Sequence, residues 1–307
     1  METIHRYSGN DSGLRSLLPV ITGKGKIQAT VSHAHFTSPE SLCQHVEAIK
    51  ESDCWTRDAW DKDFKFNGTY DMEHAIRLCR TGWPEGADKA SKLRDKINAA
   101  NPTGPRLARW DVAGAYPSVA RALSGNPMNM RRIDTAALRR KPVLTIVHHM
   151  GGNTSILAAT FQHKAAVVAA IIDAIESANF QVELIATSLS NQADAHFFHE
   201  TSFTVKQAGQ SADIGKIAFS IGHTSAFRRL VFACRSGDAF NRPLQVTLGA
   251  TTDYANKPDA GVYVLPSLAS CAPMFENEQA AATTGLAFFI RKLQEQDCPA
   301  FPRQEAA

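Results

Sequence analysis

The chain has 307 residues, with 33 Lys+Arg against 30 Asp+Glu for a net charge of +3; 44% of residues are hydrophobic and 21% charged. That is ordinary globular composition, enough for one large domain or two small ones. So small a net charge excludes a strongly cationic nucleic-acid coat, though not a local basic patch. The apolar stretch Ala165–Ile175 contains Asp173 and falls short of the roughly 18–20 residues a membrane helix needs. Met1–Arg6 has no basic segment followed by an apolar one, so the expectation is a cytoplasmic protein with no membrane partner.

In chain order, Lys26–Ser32 alternates as a strand does. Ser38 and Pro39 then start a helix running to about Lys50, with Ser38 as N-cap and Pro39 as first helical residue. From Cys54 to Tyr70, aromatics (Trp55, Trp60, Phe64, Phe66, Tyr70) interleave with both signs of charge. This stretch reads either as a loop tucked onto the domain or as a stacking surface for single-stranded nucleic acid, with Arg57 and the more distant Arg139 and Arg140 as phosphate contacts. A helix follows over 71–80, capped by Asp71 or Thr69, opened by acids and closed by Arg77 and Arg80 as the helix dipole favours. Gly82 and Pro84 stop it. A second helix spans 85–100, and Trp110–Tyr116 leads into a short helix over 117–123 ended by Gly125-Asn126-Pro127.

Arg139-Arg140-Lys141-Pro142 marks the clearest change of character. Val143–Val147 is a β-branched apolar run suited to a strand buried on both faces. A small-residue loop, an amphipathic helix over 161–177 and a strand over 181–188 complete a βαβ unit, which implies parallel strands and a right-handed crossover. Helices over 211–219 and 225–234, a strand over 261–266 and a closing helix over 276–296 follow. Within 225–234 one of Arg228 and Arg229 is expected to face outward and the other to pair with a buried acid. The expected divisions are 1–60 (strand and helix), 61–140 (helical), 141–297 (α/β) and 298–307 (tail). The six cysteines are scattered without a Cys-x-x-Cys pair and read as reduced thiols.

The strand–loop–helix–strand of 143–184 resembles the opening of a von Willebrand factor A-like domain. More widely, several motifs across 67–265 resemble an uncharacterised bacteriophage-encoded family with such a domain. They are Gly68-Thr69, Gly82-Trp83-Pro84-Glu85-Gly86, Asp111-Val112-Ala113-Gly114, Gly125-Asn126-Pro127-Met128, and Lys216–Phe219 through His223 to Ala226–Leu230. The resemblance implies an α/β fold: a helical N-terminal portion and a Rossmann-like, von Willebrand A-like domain with a mainly parallel sheet. It brings no reaction with it. That domain type binds a divalent cation through Asp-x-Ser-x-Ser in the first strand–helix loop, where oxygen ligands suit Mg²⁺. Here the loop offers His148, His149, Asn153, Thr154 and Ser155 and no aspartate. What remains is its place at the carboxyl end of a parallel strand, where open α/β sheets hold their ligands.

Three functions follow as expectations. The leading one is a non-enzymatic phage-type protein with no cofactor, in the cytoplasm of a bacterial host. It would bind a protein partner through His148, His149, Asn153, Thr154 and Ser155. The second is a metal-dependent hydrolase or nuclease whose divalent metal would sit among His33, His35, His148, His149, His196 and His199; it needs His33 and His35 on one strand face and His196 and His199 on one helix face. The third is single-stranded nucleic-acid binding through Trp55, Arg57, Trp60, Arg139 and Arg140. No Gly-x-Ser-x-Gly elbow, P-loop, dinucleotide fingerprint or His-Glu-x-x-His stands in the sequence.

Overall fold

The computed structural model describes residues 11–22, 25–54, 57–100, 108–113, 116–133, 141–152, 155–191, 197–237, 250–251 and 260–302. The elements are β1 (Asp11–Thr22), β2 (Gly25–Phe36), α1 (Pro39–Ala48), α2 (Phe64–Asn67), α3 (Met72–Thr81), α4 (Pro84–Ala100), β3 (Ala108–Asp111), β4 (Tyr116–Pro117), α5 (Val119–Leu123) and β5 (Met130–Ile133). Then come β6 (Val143–His149), α6 (Ala158–Ser177), β7 (Gln181–Asn191), β8 (Phe197–Lys206), α7 (Ile214–Gly222), a π-helical stretch Ala226–Val231 running into α8 (Phe232–Gly237), β9 (Ala250–Thr251) and β10 (Val262–Leu265). α9 (Leu268–Cys271), α10 (Glu278–Ala280) and α11 (Leu286–Glu295) close the order.

Helix ends follow local chemistry. Ser38 and Ser41 form a capping box: Ser41 N donates to Ser38 Oγ and Ser38 N to Ser41 Oγ, both at 3.1 Å. Asp71 accepts from His74 N and Asp213 from Lys216 N. Gly82 closes α3 at φ 84°. A Cβ there would stand 3.0 Å from the Gly215 backbone, and Trp83 N donates to Gly215 O, so the α3–α4 turn lies directly on the start of α7. The expected closing helix over 276–296 runs without a break from Glu278 to Glu295, with a π-helical stretch, Ala281–Gly285, between α10 and α11.

The main sheet has the order β1-β2-β8-β7-β6-β10, with β9 on β7. β6 pairs in parallel with β7 on one side and β10 on the other, and β2 in parallel with β8. β1–β2, β7–β8 and β7–β9 are antiparallel. The class is α/β with a Rossmann-like arrangement, as the βαβ reading expected. β8 puts His199 in a strand, where the metal reading needed a helix face. Its Phe203, with Leu144, Ile146, Leu184 and Phe36, faces the helices. On the opposite face Val147 and Val262 pack against Ile185 and Val264. A second sheet, β3-β5-β4, is antiparallel; only its short helix α5 was legible in advance.

One hydrophobic core runs from Phe36 through Cys79, Ile97 and Ile172 to Cys298. The boundary expected near 140 therefore divides the sequence but not the core, and the expected tail begins inside it. Helix α6 is long and apolar enough by composition to cross a membrane, but its Thr160, Phe161, Lys164–Ile172 and Ile175 are buried, as befits the central helix of an α/β core. Cys43, Cys79, Cys234, Cys271 and Cys298 are buried, Cys54 is half-buried, and none of them forms a disulfide.

Arg228 and Arg229 correct their expectation: both are buried. Arg229 donates from Nε to Thr69 Oγ1 (2.7 Å), from Nη1 to Ala59 O (2.6 Å), and from Nη2 to Asp61 O (2.9 Å) and Thr69 O (2.6 Å). Arg228 donates to Phe66 O at 2.7 Å and stacks on the Phe66 ring. The acceptors of Arg229 are three carbonyls and a hydroxyl, and with the Arg228–Phe66 bond they pin the 59–69 loop. Arg229→Met is expected to lower unfolding free energy by about 3 kcal/mol or more, because three loop carbonyls lose their buried donor; urea denaturation measures this.

Candidate functional site

The loop after β6 leaves the sheet at a topological switch point, since α6 carries the chain to β7 while β10 lies on the other side of β6. Lys164 of α6 reaches this point. It is buried, and its Nζ donates to His149 O (3.0 Å) and Pro266 O (2.8 Å), joining the ends of β6 and β10. Leu268 N donates to Gly151 O, so the two strand-end loops are also joined backbone to backbone. A Cβ at Gly152 would stand 2.8 Å from Phe161 Cζ, which explains the small residue there.

His148 and His149 are both fully buried, which corrects their assignment as partner contacts: neither reaches a macromolecule. They lie on opposite faces of β6. His148 is on the helix side with neither ring nitrogen hydrogen-bonded. Burial pushes it well below the ordinary histidine range, with the Lys164 and His149 charges adding to the effect. The His149 Nδ1 lies 3.1 Å from Gly151 N and Nε2 3.0 Å from Leu189 N. A neutral imidazole has one acceptor nitrogen, so one contact is a hydrogen bond and the other a close approach. Of the remaining loop residues Ser155 is exposed, while Asn153 and Thr154 lie outside the described residues. Leu157, the N-cap residue of α6, is 73% exposed.

The histidine sets do not converge. Register places His149, Thr187, Ser202 and His35 in one row across β6, β7, β8 and β2. Three strand spacings of about 4.8 Å therefore separate His149 from His35, too far for one ion. His35 Nδ1 is instead 2.8 Å from Ser202 Oγ. His33 shares that face, beside Glu200. His199 pairs in register with Ser190 and Ser32 on the helix side; because it lies in β8, the helical pairing with His196 fails, and His196 itself lies outside the described residues. Among the described residues no group of three or more His, Cys, Asp or Glu could hold a metal. The Mg²⁺ of von Willebrand A-like domains does not fit this strand end either: the Lys164 ammonium already takes the carbonyls a cation would meet.

The 57–70 stretch is divided: two of its aromatics are half-buried against the body, while Phe64 (45%) and Tyr70 (67%) stay exposed. Trp60 and Phe66 pack on the core, and Phe64 stacks on Tyr70 at 4.6 Å. Arg57 is exposed beside Glu51 (3.7 Å). Trp55, Arg139 and Arg140 lie outside the described residues.

Two features escaped the sequence reading. Arg235 of α8 is buried and donates from Nη2 to Ser188 O (3.0 Å) and Ser188 Oγ (2.6 Å) at the carboxyl end of β7. Burial and the Arg235 charge lower His199 to about 3. An open depression of about 630 Å³ lies at the carboxyl ends of β2 and β8, lined by Ser38, Thr204, Lys206, Ser211, Asp213 and Lys216. No local sequence signal marks either one, since each is built from segments far apart in the chain.

These features define the class as an α/β, Rossmann-like domain whose strand ends are closed by buried cations. Residues 19–285 match the model of a family described as a domain of unknown function (DUF7192), and the chain belongs to that family. No curated protein matches the chain, and no solved structure does.

The buried histidines make stability depend on pH. His199 (about 3) and His223, lowered to about 4 by burial and the charge of His74, are neutral when folded and take up protons on unfolding below about pH 6.5. Stability is expected to be full above that value. It should fall toward pH 4 by about 1.4 kcal/mol per pH unit for each such histidine. Replacing His148 by leucine removes one proton from this uptake and flattens the profile between pH 6.5 and 4, as read by urea midpoints across pH.

Proposed function

We propose that this chain is a non-enzymatic, phage-type binding protein. Its α/β unit would be von Willebrand A-like, acting in the cytoplasm of a bacterial host and holding a protein partner with the loop at the carboxyl end of β6. One observation carries the reading: Leu157, a large apolar side chain, is 73% exposed on that loop. The loop stands on a base fixed by Lys164 and by the Leu268–Gly151 backbone bond. An apolar tip on a pre-ordered base loses little entropy on docking. Ser155, beside it, is exposed as well. The reading keeps the strand-end loop as the contact region but moves the contact from His148 and His149 to Ser155 and Leu157, with the histidines as buried support.

A photo-crosslinking amino acid at position 155, in host cells carrying the source phage, is expected to yield one discrete protein adduct. Leu157→Asp should reduce its yield by about 10- to 100-fold, the equivalent of burying one leucine. The same probe at Arg57 should not form that adduct. Absence of an adduct from position 155, or one indifferent to Leu157→Asp, would overturn the reading. So would catalytic turnover abolished by alanine substitutions in 148–155.

A further inference from the structure

Eight large apolar or aromatic side chains stand exposed among the described residues, and six of them fall in two groups. The first is a knuckle formed by α5 and the turn after it. Val119 (69% exposed) and Leu123 (83%) are i and i+4 on one face of α5. Met128, also exposed, is tied to the same helix, because Arg121 Nη1 donates to Met128 O at 3.1 Å. Ser124 Oγ donates to Arg121 O (2.9 Å), Asn126 N to Arg121 O (3.0 Å) and Met128 N to Asn126 Oδ1 (2.9 Å), so the turn is closed on itself. Exposed Val112 follows β3, whose Asp111 is in register with Met130. The second group is the stacked pair Phe64 and Tyr70, with ring centroids 4.6 Å apart. It stands on the loop that Arg228 and Arg229 hold through Phe66 O, Asp61 O and Thr69 O. Both groups sit on fixed ground, where an exposed apolar cluster marks an interaction site and loses little entropy on docking.

The two groups lie in segments of opposite charge. Residues 51–73, around the aromatic pair, hold seven acids and three bases, a net −4, and all seven acids are exposed. Residues 106–141 hold eight bases and two acids, a net +6 in a chain whose total is +3, with no acid from Val112 to Ile133. Arg131 and Arg132 follow directly on the knuckle. A charge cluster acts over about 10 Å in roughly 0.1 M salt, so these arginines favour an acidic neighbour whichever way each side chain points. Both groups are exposed within one chain, so they meet only between chains. Either group set against itself would bring like charges together.

We propose that the knuckle of one copy of this chain docks on the Phe64–Tyr70 face of a second copy, with Val119 and Leu123 against the two rings and basic and acidic residues matched around them. An apolar centre inside a polar rim is the ordinary anatomy of a specific interface, and opposite potentials fix which face meets which. Each copy offers one knuckle and one aromatic face, and the angle between them decides whether the assembly closes or continues as a chain. Neither Ser155 nor Leu157 takes part, so this contact stands apart from the partner loop after β6.

The test is sedimentation velocity of the full chain from about 1 to 100 μM, the range suited to a weak, small interface, at low and high salt. The mean mass is expected to rise with concentration, and the association to weaken as salt rises. Leu123→Asp and Tyr70→Lys should each weaken it by about tenfold or more. Mixing the two variants separates the faces: one retains the aromatic face and the other the knuckle, so together they should form a one-to-one dimer and go no further. That dimer also shows that both variants are folded. A chain monomeric at every concentration in low salt would overturn the proposal, as would association that salt does not weaken, or variants with native circular dichroism that associate unchanged on their own or fail to associate when mixed. A monomeric chain that floats with phosphatidylserine vesicles, and no longer does so as Leu123→Asp, would assign the knuckle to a lipid surface instead. The concentration and salt series use the unaltered chain, so a variant that does not fold leaves the test intact.

Discussion

Buried cations bonded to backbone carbonyls hold the irregular parts of this fold. Lys164 joins the ends of β6 and β10, Arg235 holds the carboxyl end of β7 through Ser188, and Arg229 gathers the 59–69 loop. Lys206 donates to Val182 O at 2.9 Å and to Glu176 at 2.7 Å. Carbonyls outside ladders and helices need donors when buried, and a buried charge is tolerable only when its hydrogen bonds are made. Each need answers the other. The strand-end region that in related architectures admits a ligand is here closed from inside by an ammonium.

Much of the fold was legible because its signals are local. The N-caps Ser38 and Asp71, the stop at Gly82, the β-branched run of β6 and the amphipathic period of α6 all stand within a few residues of what they determine. β8 and the small sheet were not legible. Short strands acquire their identity from partners elsewhere in the chain, and Phe197–Lys206 carries a histidine and an acid that blur its alternation. The candidate site divides the same way. The position of the loop followed from the βαβ pattern, but the burial of His148 and His149 depends on Lys164, fifteen residues on, and on Pro266, more than a hundred residues on. Two adjacent arginines both inside one helix were equally hidden, because the π-helical stretch Ala226–Val231 changes the angular spacing on which the outward-facing expectation rested.

The body and the small sheet follow opposite electrostatic rules. In the body, cations are taken inside and spent on carbonyls, and the chain outside 106–141 carries a net −3. In the small sheet, arginines are set in register with one another and with aromatics.

The pairing of β2 with β8 spans a long stretch of chain: His35 meets Ser202 across 167 residues. At the ordinary pace of synthesis, about 5–20 residues per second, the β1–β2 hairpin waits roughly 10 to 30 s on the ribosome before its neighbour exists. Such contacts are slow to form, and an unpaired strand edge invites association with other chains. Yield in a heterologous host should therefore respond to translation speed and chaperone supply more than to the stability of the finished domain.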